Sequence, residues 1–133
     1  MLIFKPSGML DKKVIITPLS QDYSIKYWMQ KGASAKKLIM GMPLYGQSFT
    51  LSSASVNGLN APALSAGQAG AFTRQPGFLA YYEICDKIKN EDWTVSHQTE
   101  MGPYAFKGNQ WVSYDDLAVI RRKVRLFKKY FPL

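Results

Sequence analysis

The chain has very few of the residues that build metal, nucleophile or disulfide chemistry. Its 133 residues include one cysteine, Cys85, and one histidine, His97. A single cysteine excludes an internal disulfide, and a lone histidine has no second ligand at metal spacing and no nucleophile constellation around it. The sequence also lacks a Gly-rich phosphate loop and an Asn-x-Ser/Thr acceptor. We therefore expect no cofactor and no bound metal.

Long hydrophobic runs are also missing. No apolar stretch approaches the roughly 20 residues that a membrane-spanning helix needs, so no membrane partner is expected. Residues 1–6 are too short and too soon interrupted by Lys5 and Pro6 to form a secretory h-region, so the sequence as written predicts no signal peptide. With 47% hydrophobic residues, the chain is the size of one domain and has enough apolar content for a core.

Acidic residues are scarce, which leaves a strong positive balance. There are 9 acidic and 17 basic side chains, giving a formal net charge of +8. Such a balance could serve an anionic partner such as nucleic acid. Much of the excess, however, lies in residues 121–130, where apolar residues at 120, 124, 127 and 131 follow helical spacing. This pattern favours a solvated basic helix face over a nucleic-acid site.

The first half of the chain predicts a loop, a helix and a strand. Residues 1–20 are rich in turn formers and predict a loop with one short strand. A helix then follows a cap at Ser20 or Asp22 and ends near Gly32. An apolar run from Lys37 to Tyr45, closed by Pro43 and Gly46, predicts a buried parallel strand with Tyr45 at its carboxyl end.

The second half has the character of a small α+β unit. Residues 48–51 predict a strand, residues 52–70 a loop of small residues, and residues 78–89 an amphipathic helix. Residues 94–114 predict strands that turn at Gly102-Pro103 and at Lys107-Gly108-Asn109. Asp115 or Asp116 is expected to cap a last helix that ends near Pro132.

Three stretches together resemble arthropod chitinases of glycoside hydrolase family 18. They are KLIMGMPLYGQSF from Lys37, GFLAYYEIC from Gly77 and WVSYDD from Trp111. The resemblance covers residues 23–130, about four fifths of the chain. It implies an α+β insertion domain attached to a fragment of a (β/α)8 TIM barrel, namely the sixth helix, the seventh strand and the seventh helix.

The resemblance also implies a division of the chain. Residues 1–20 stay unassigned and loop-rich, residues 21–46 are a barrel helix and strand, residues 47–114 are the chitinase insertion domain, and residues 115–133 are a barrel helix. A single barrel strand leaves sheet edges unpaired, so the remainder of a barrel is expected to be needed for a closed fold.

The catalytic motif of the family is not present in the sequence. Members carry Asp-Gly-x-Asp-x-Asp-x-Glu on the fourth strand, whose Glu protonates the glycosidic oxygen while the substrate's N-acetyl group attacks. The adjacent pairs Glu91-Asp92 and Asp115-Asp116 point in different directions and cannot flank one bond. We therefore predict no catalytic residue here and an inactive chain when it is taken alone.

Four residues are the expected sugar contacts by resemblance. Tyr45 matches a tyrosine beside the scissile bond, and Gln47 stands where many members have Arg and some arthropod sequences have Gln. Gln75 matches a sugar-contacting Glu of the insertion domain, and Phe78 a neighbouring apolar contact. The alternatives are a barrel-filling role for Tyr45 and an ordinary turn at Gln75 and Phe78. Trp111 is expected in the core rather than against a glycan.

The predicted function is accordingly a partial family 18 chitinase that binds chitin or chito-oligosaccharide. The alternatives are a non-catalytic, lectin-type chitinase-like protein and a truncated product without independent activity. The family implies an extracellular parent, although the location of this chain stays open. In the family the cysteine equivalent to Cys85 usually pairs with one after the eighth strand, so Cys85 is expected to be a free thiol here.

Overall fold

A computed structural model describes residues 21–98 and 102–131 of the chain. The loop and short strand predicted within residues 1–20, the Ser20 cap and the helix end at Pro132 lie outside these residues. The elements in chain order are α1 Gln21–Gln30, a 3-10 turn Ala35–Lys37, β1 Tyr45–Leu51, β2 Ala63–Ala66, β3 Phe78–Ala80, α2 Tyr81–Asn90, β4 Thr94–Gln98, β5 Gly102–Lys107, β6 Gln110–Tyr114 and α3 Leu117–Tyr130.

The six strands β1 to β6 form one antiparallel sheet with α2 against it. The strand order is β2-β1-β6-β5-β4, and β3 pairs with β1 beyond the end of β2. The β5–β6 hairpin turns at Gly108 and Asn109, and Gly108 has a φ of +56°, a conformation that glycine adopts without steric cost. The predicted turn at Lys107-Gly108-Asn109 is thus confirmed, and so is the α+β character of this region.

One face of the sheet is covered by α2. Ile84 of α2 packs into a buried cluster with Leu79, Ala105 and Val112 from three strands. Gly46 of β1 permits this close approach, because a Cβ at Gly46 would lie 2.8 Å from Ile84 Cδ1. Packing against α2 therefore fixes the position of β1, and with it the side chains that β1 presents on the opposite face of the sheet.

The opposite face is rich in aromatic residues, and we call it the aromatic face. Phe49 stands directly opposite Trp111, which stands opposite Phe106, and directly opposite residues share one face of a sheet. Leu59 and Ala61, from the connection between β1 and β2, pack over this end of the face. We call the part of this face at the start of β1, where Tyr45 and Gln47 are half-buried, its open end.

The predicted strand from Lys37 to Tyr45 is wrong. Residues 38–44 form no strand, and β1 begins only at Tyr45 and runs antiparallel to its neighbours. A strand needs a neighbouring strand to pair its backbone groups, and none of the described residues lies beside this segment as one. Two of its large apolar side chains are correspondingly open, with Ile39 95% and Leu44 70% exposed.

Three other expectations also need correction. The helix predicted from residue 78 starts at Tyr81, because residues 78–80 pair with β1 as β3. The loop predicted at residues 52–70 contains β2. Gly102 and Pro103, predicted as a turn, are the first two residues of β5 and pair with Gln98 and His97 of β4.

The helix predicted to end near Gly32 is confirmed as α1, but Asp22 lies inside its first turn and is not its cap. The last helix, capped by Asp116, is also confirmed, and a Tyr130–Asp22 hydrogen bond of 2.6 Å joins the two helices.

Candidate functional site

The open end of the aromatic face brings together three of the four expected sugar contacts. Tyr45 and Gln47 are alternate residues of β1 and so point to the same side of the sheet. Phe78 of β3 stands directly opposite Gln47. The rings of Tyr45 and Phe78 have centroids 4.8 Å apart and planes inclined by 30°. All three side chains are half-buried, so each still presents surface to solvent.

Gln75 lies at the edge of this group, in the turn that leads into β3. Its carbonyl oxygen accepts a hydrogen bond from the Phe78 amide at 3.3 Å, and its side chain is exposed. Gly77 has a φ of +79°, so glycine suits the reversal of the chain at that point. The turn therefore places Gln75 on the same short segment as Phe78.

A buried carboxylate holds the loop that carries this turn. Glu83 is 4% exposed and accepts hydrogen bonds from the amides of Phe72 at 2.8 Å, Thr73 at 3.0 Å and Ala80 at 2.9 Å. The Thr73 hydroxyl donates a fourth at 2.8 Å. Burial alone raises the pKa of the Glu83 carboxyl, but these donors outweigh burial and lower its pKa below the usual 4.5. Glu83 is therefore ionised at neutral pH.

The other aromatic residues of this face serve the core. Trp111 is 3% exposed and packs against Tyr104, with ring centroids 5.2 Å apart. The prediction that Trp111 is a core residue is thus confirmed, and Tyr104 is buried with it. Phe49 and Phe106, on the same face, pack against this buried pair and are half-buried.

The remaining carboxylates near the sheet are engaged in structural contacts. Asp115 forms a largely buried ion pair with Lys123, and the Asp116 side chain accepts from the Val119 amide at 2.8 Å as the cap of α3. His97 Nδ1 lies 3.8 Å from Asp116 Oδ2. Burial, followed by the charge of Asp116, raises the pKa of Tyr114 to about 12.

The described residues also bear on metal binding, membrane spanning and the state of the cysteine. Within residues 21–98 and 102–131 no group of His, Cys, Asp or Glu side chains has an arrangement that could hold a metal. In the same residues, no helix has the length and apolar character of a membrane span. Cys85 is a free, exposed thiol. None of these features adds to the group around Tyr45.

Sequence reasoning missed two residues that bear on the site. Ser113 of β6 stands directly opposite Gln47 and is half-buried, so its hydroxyl borders the same open surface. The alternation in residues 111–114 could have placed Ser113 on the exposed side. Glu83 is the other residue, and the sequence does carry a signal for it, because a Glu at the third position of a helix is a recognisable capping residue.

Comparison with known proteins identifies the kind of chain to which this geometry belongs. The sequence profile named Glycosyl hydrolases family 18 matches residues 5–130, beginning well before the stretch that the motifs had covered. Probable chitinase 10 of Drosophila melanogaster is 56% identical over 109 residues, which are 80% of this chain and 5% of that protein.

Solved structures agree with the sequence relatives. Catalytic domain 2 of the Ostrinia furnacalis Group II chitinase superposes with a TM-score of 0.84 at 38% identity, over 91% of this chain and 32% of that one. A mutant of that domain has been solved with the chito-oligosaccharide (NAG)5. Human YKL-39, described as a pseudo-chitinase with retained chitooligosaccharide binding, superposes with a TM-score of 0.80 at 40% identity, over 94% of this chain and 34% of that one. This chain thus spans about a third of each of these two solved chains.

Proposed function

The chain belongs to glycosyl hydrolase family 18, and from that membership we propose that the open end of its aromatic face binds chains of β-1,4-linked N-acetylglucosamine. Tyr45 and Phe78 contact the apolar face of a sugar ring, and Gln47, Gln75 and Ser113 bond to its hydroxyl and acetamido groups. The contact between the Tyr45 and Phe78 rings beside Gln47 is the observation that carries this proposal.

The chemistry of these side chains suits a neutral sugar. A pyranose ring has an apolar face and an edge of hydroxyl groups, which match an aromatic ring flanked by amides. Gln47 and Gln75 are uncharged, each with one acceptor oxygen and two N–H donors, so both can bond to hydroxyl groups without a charged partner. The chito-oligosaccharide complex of the Ostrinia chitinase domain and the binding retained by human YKL-39 support the same ligand class.

We assign sugar binding rather than proton donation to this surface. A general acid must hold a proton at the working pH. Glu83 cannot, because four donors keep it ionised, and Asp115 and Asp116 are committed to Lys123 and to the cap of α3. In a larger catalytic unit this surface would form part of a substrate groove whose acid comes from elsewhere.

Binding without hydrolysis is the second candidate function. The likeness to human YKL-39, described as a pseudo-chitinase that retains oligosaccharide binding, favours it. Incubating the chain with a fluorogenic chito-oligosaccharide measures hydrolysis. We expect no product above a buffer blank, and release of the fluorophore would show that a carboxylate of this chain acts as an acid.

Calorimetric titration with (GlcNAc)5 tests the proposal. Removing a ring contact should cost roughly 1–2 kcal/mol, so Tyr45→Ala should raise Kd about 5- to 30-fold. Tyr45→Phe, which removes only the hydroxyl, should raise it about 2- to 10-fold. Trp28→Ala is the matched control, because Trp28 is an exposed aromatic residue of α1. Equal affinity of wild type, Tyr45→Ala and Trp28→Ala would refute the proposed site.

A further inference from the structure

Residues 72–80, a loop whose last three residues are strand β3, are tied at both ends to one buried group. The Glu83 carboxylate accepts from Phe72 and Thr73 at the start of the loop and from Ala80 at its end. One oxygen holds the two amides at the start, while the other holds the Ala80 amide and the Thr73 hydroxyl. Gln75 and Phe78 lie between these anchor points.

The anchored end is also the strand that contacts β1. Ala80 stands directly opposite Tyr45 in the pairing of β3 with β1. A shift of the Ala80 backbone would therefore move Phe78, two residues earlier, relative to the Tyr45 ring. Ala80 has no side-chain acceptor with which to cap α2, so Glu83 supplies the bond that defines where β3 ends and α2 begins.

The loop wraps closely around this carboxylate. Gly70 lies against it, and a Cβ on Gly70 would overlap the carboxylate group of Glu83. The Gly70 carbonyl also accepts from the Arg74 amide at 3.1 Å, which closes the turn on which Gln75 follows. A buried carboxylate bonded by four donors is costly to replace, because each donor that loses it stays unpaired.

We propose that Glu83 is the positioning residue of the sugar surface: its carboxylate sets the loop of residues 72–80 so that Phe78 and Gln75 meet the ligand beside Tyr45. The inference rests on the proposed function of that surface. Glu83 itself touches no ligand and takes no part in catalysis. Its effect on binding passes through the backbone of the loop.

Glu83→Gln tests this role with the smallest change of shape. An amide offers one oxygen and one NH2 group, so it can satisfy the Phe72 and Thr73 amides but then sets two donors face to face at Ala80. We expect (GlcNAc)5 affinity to fall about tenfold and the NMR contacts between the Tyr45 and Phe78 rings to weaken, while the β5–β6 contacts stay. Glu91→Gln, the same change at the exposed end of α2, should alter neither.

The outcomes separate the two proposals. If the wild type fails to bind (GlcNAc)5, the proposed function fails, whereas the ring contacts in the unliganded protein still report whether Glu83 positions the loop. If the wild type binds and a folded Glu83→Gln variant binds equally well with its ring contacts intact, the positioning role is overturned.

A milder variant covers the case in which Glu83→Gln does not fold. Thr73→Val deletes the hydroxyl, which lies 2.8 Å from the Glu83 carboxylate and 3.4 Å from the Phe78 carbonyl oxygen, and keeps the backbone amide. We expect about a threefold loss of affinity, together with weaker contacts between the Tyr45 and Phe78 rings. An unchanged Kd with unchanged ring contacts would overturn the inference.

Discussion

Replacing Gly46 by alanine probes the tight packing between β1, β6 and α2. A Cβ at this position would lie 2.6 Å from the carbonyl oxygen of Ser113, 2.7 Å from Val112 Cγ2 and 2.8 Å from Ile84 Cδ1. Unstrained carbon contacts are about 3.5–4.0 Å. The side chains can move by rotation, but the Ser113 carbonyl belongs to the β6 backbone that pairs with β1. The added methyl group therefore must displace one strand from the other.

The size of the effect follows from these contacts. Adding a methyl group to a well-packed core typically costs about 1–3 kcal/mol, and the backbone contact places Gly46→Ala in the upper half of that range. With a urea m-value of about 1–3 kcal/mol/M, the unfolding midpoint should fall by roughly 1 M. Gly41→Ala is the control, since a Cβ there has no atom within 4 Å, and it should leave the midpoint nearly unchanged.

A double variant identifies the cause of the destabilisation. Ile84→Val removes the Cδ1 atom that the new methyl group of Gly46→Ala would contact. The double variant should therefore be more stable than Gly46→Ala alone, although Ile84→Val is itself destabilising. Gly46 also separates Tyr45 from Gln47 in β1, so (GlcNAc)5 binding should weaken in parallel. A Gly46→Ala midpoint equal to that of Gly41→Ala would refute the packing argument.

Two further predictions concern buried aromatic residues. The pKa of Tyr114 is raised to about 12, above the ordinary value near 10. Its contribution to the stability of the fold is therefore present below pH 10 and is lost as the pH rises towards about 12. An ultraviolet absorbance titration should show this late ionisation, and Tyr114→Phe should remove it. Trp111→Ala should lower the free energy of unfolding by about 3–5 kcal/mol, measured by urea denaturation. Trp111→Phe should cost much less, because the Trp111 Nε1 group has no hydrogen-bond partner among the described residues. A loss of stability equal to that of Trp111→Ala would contradict this expectation. As a control, Trp28→Ala at an exposed position should change the stability little.

The local elements of this protein could be predicted from sequence because their signals are local. Asp116 caps α3 with its own side chain, and Gly108 closes the β5–β6 hairpin with a positive φ. A helix cap and a tight turn involve residues within a few positions of each other, so both depend little on the remainder of the fold. The family motifs likewise predicted Tyr45, Gln47 and Phe78 as sugar contacts, although only as separate positions in the sequence.

Tertiary structure decided what those positions form together. The apolar run from Lys37 predicted a strand, yet a strand exists only where a neighbour pairs its backbone, and this segment has no neighbouring strand among the described residues. Phe78 had the pattern of a helix start, but pairing with β1 made it part of β3 and placed its ring against Tyr45. Glu83 became a four-fold acceptor because the loop of residues 72–80 closes around it. These outcomes depend on contacts between residues distant in sequence, whose energy no local pattern contains.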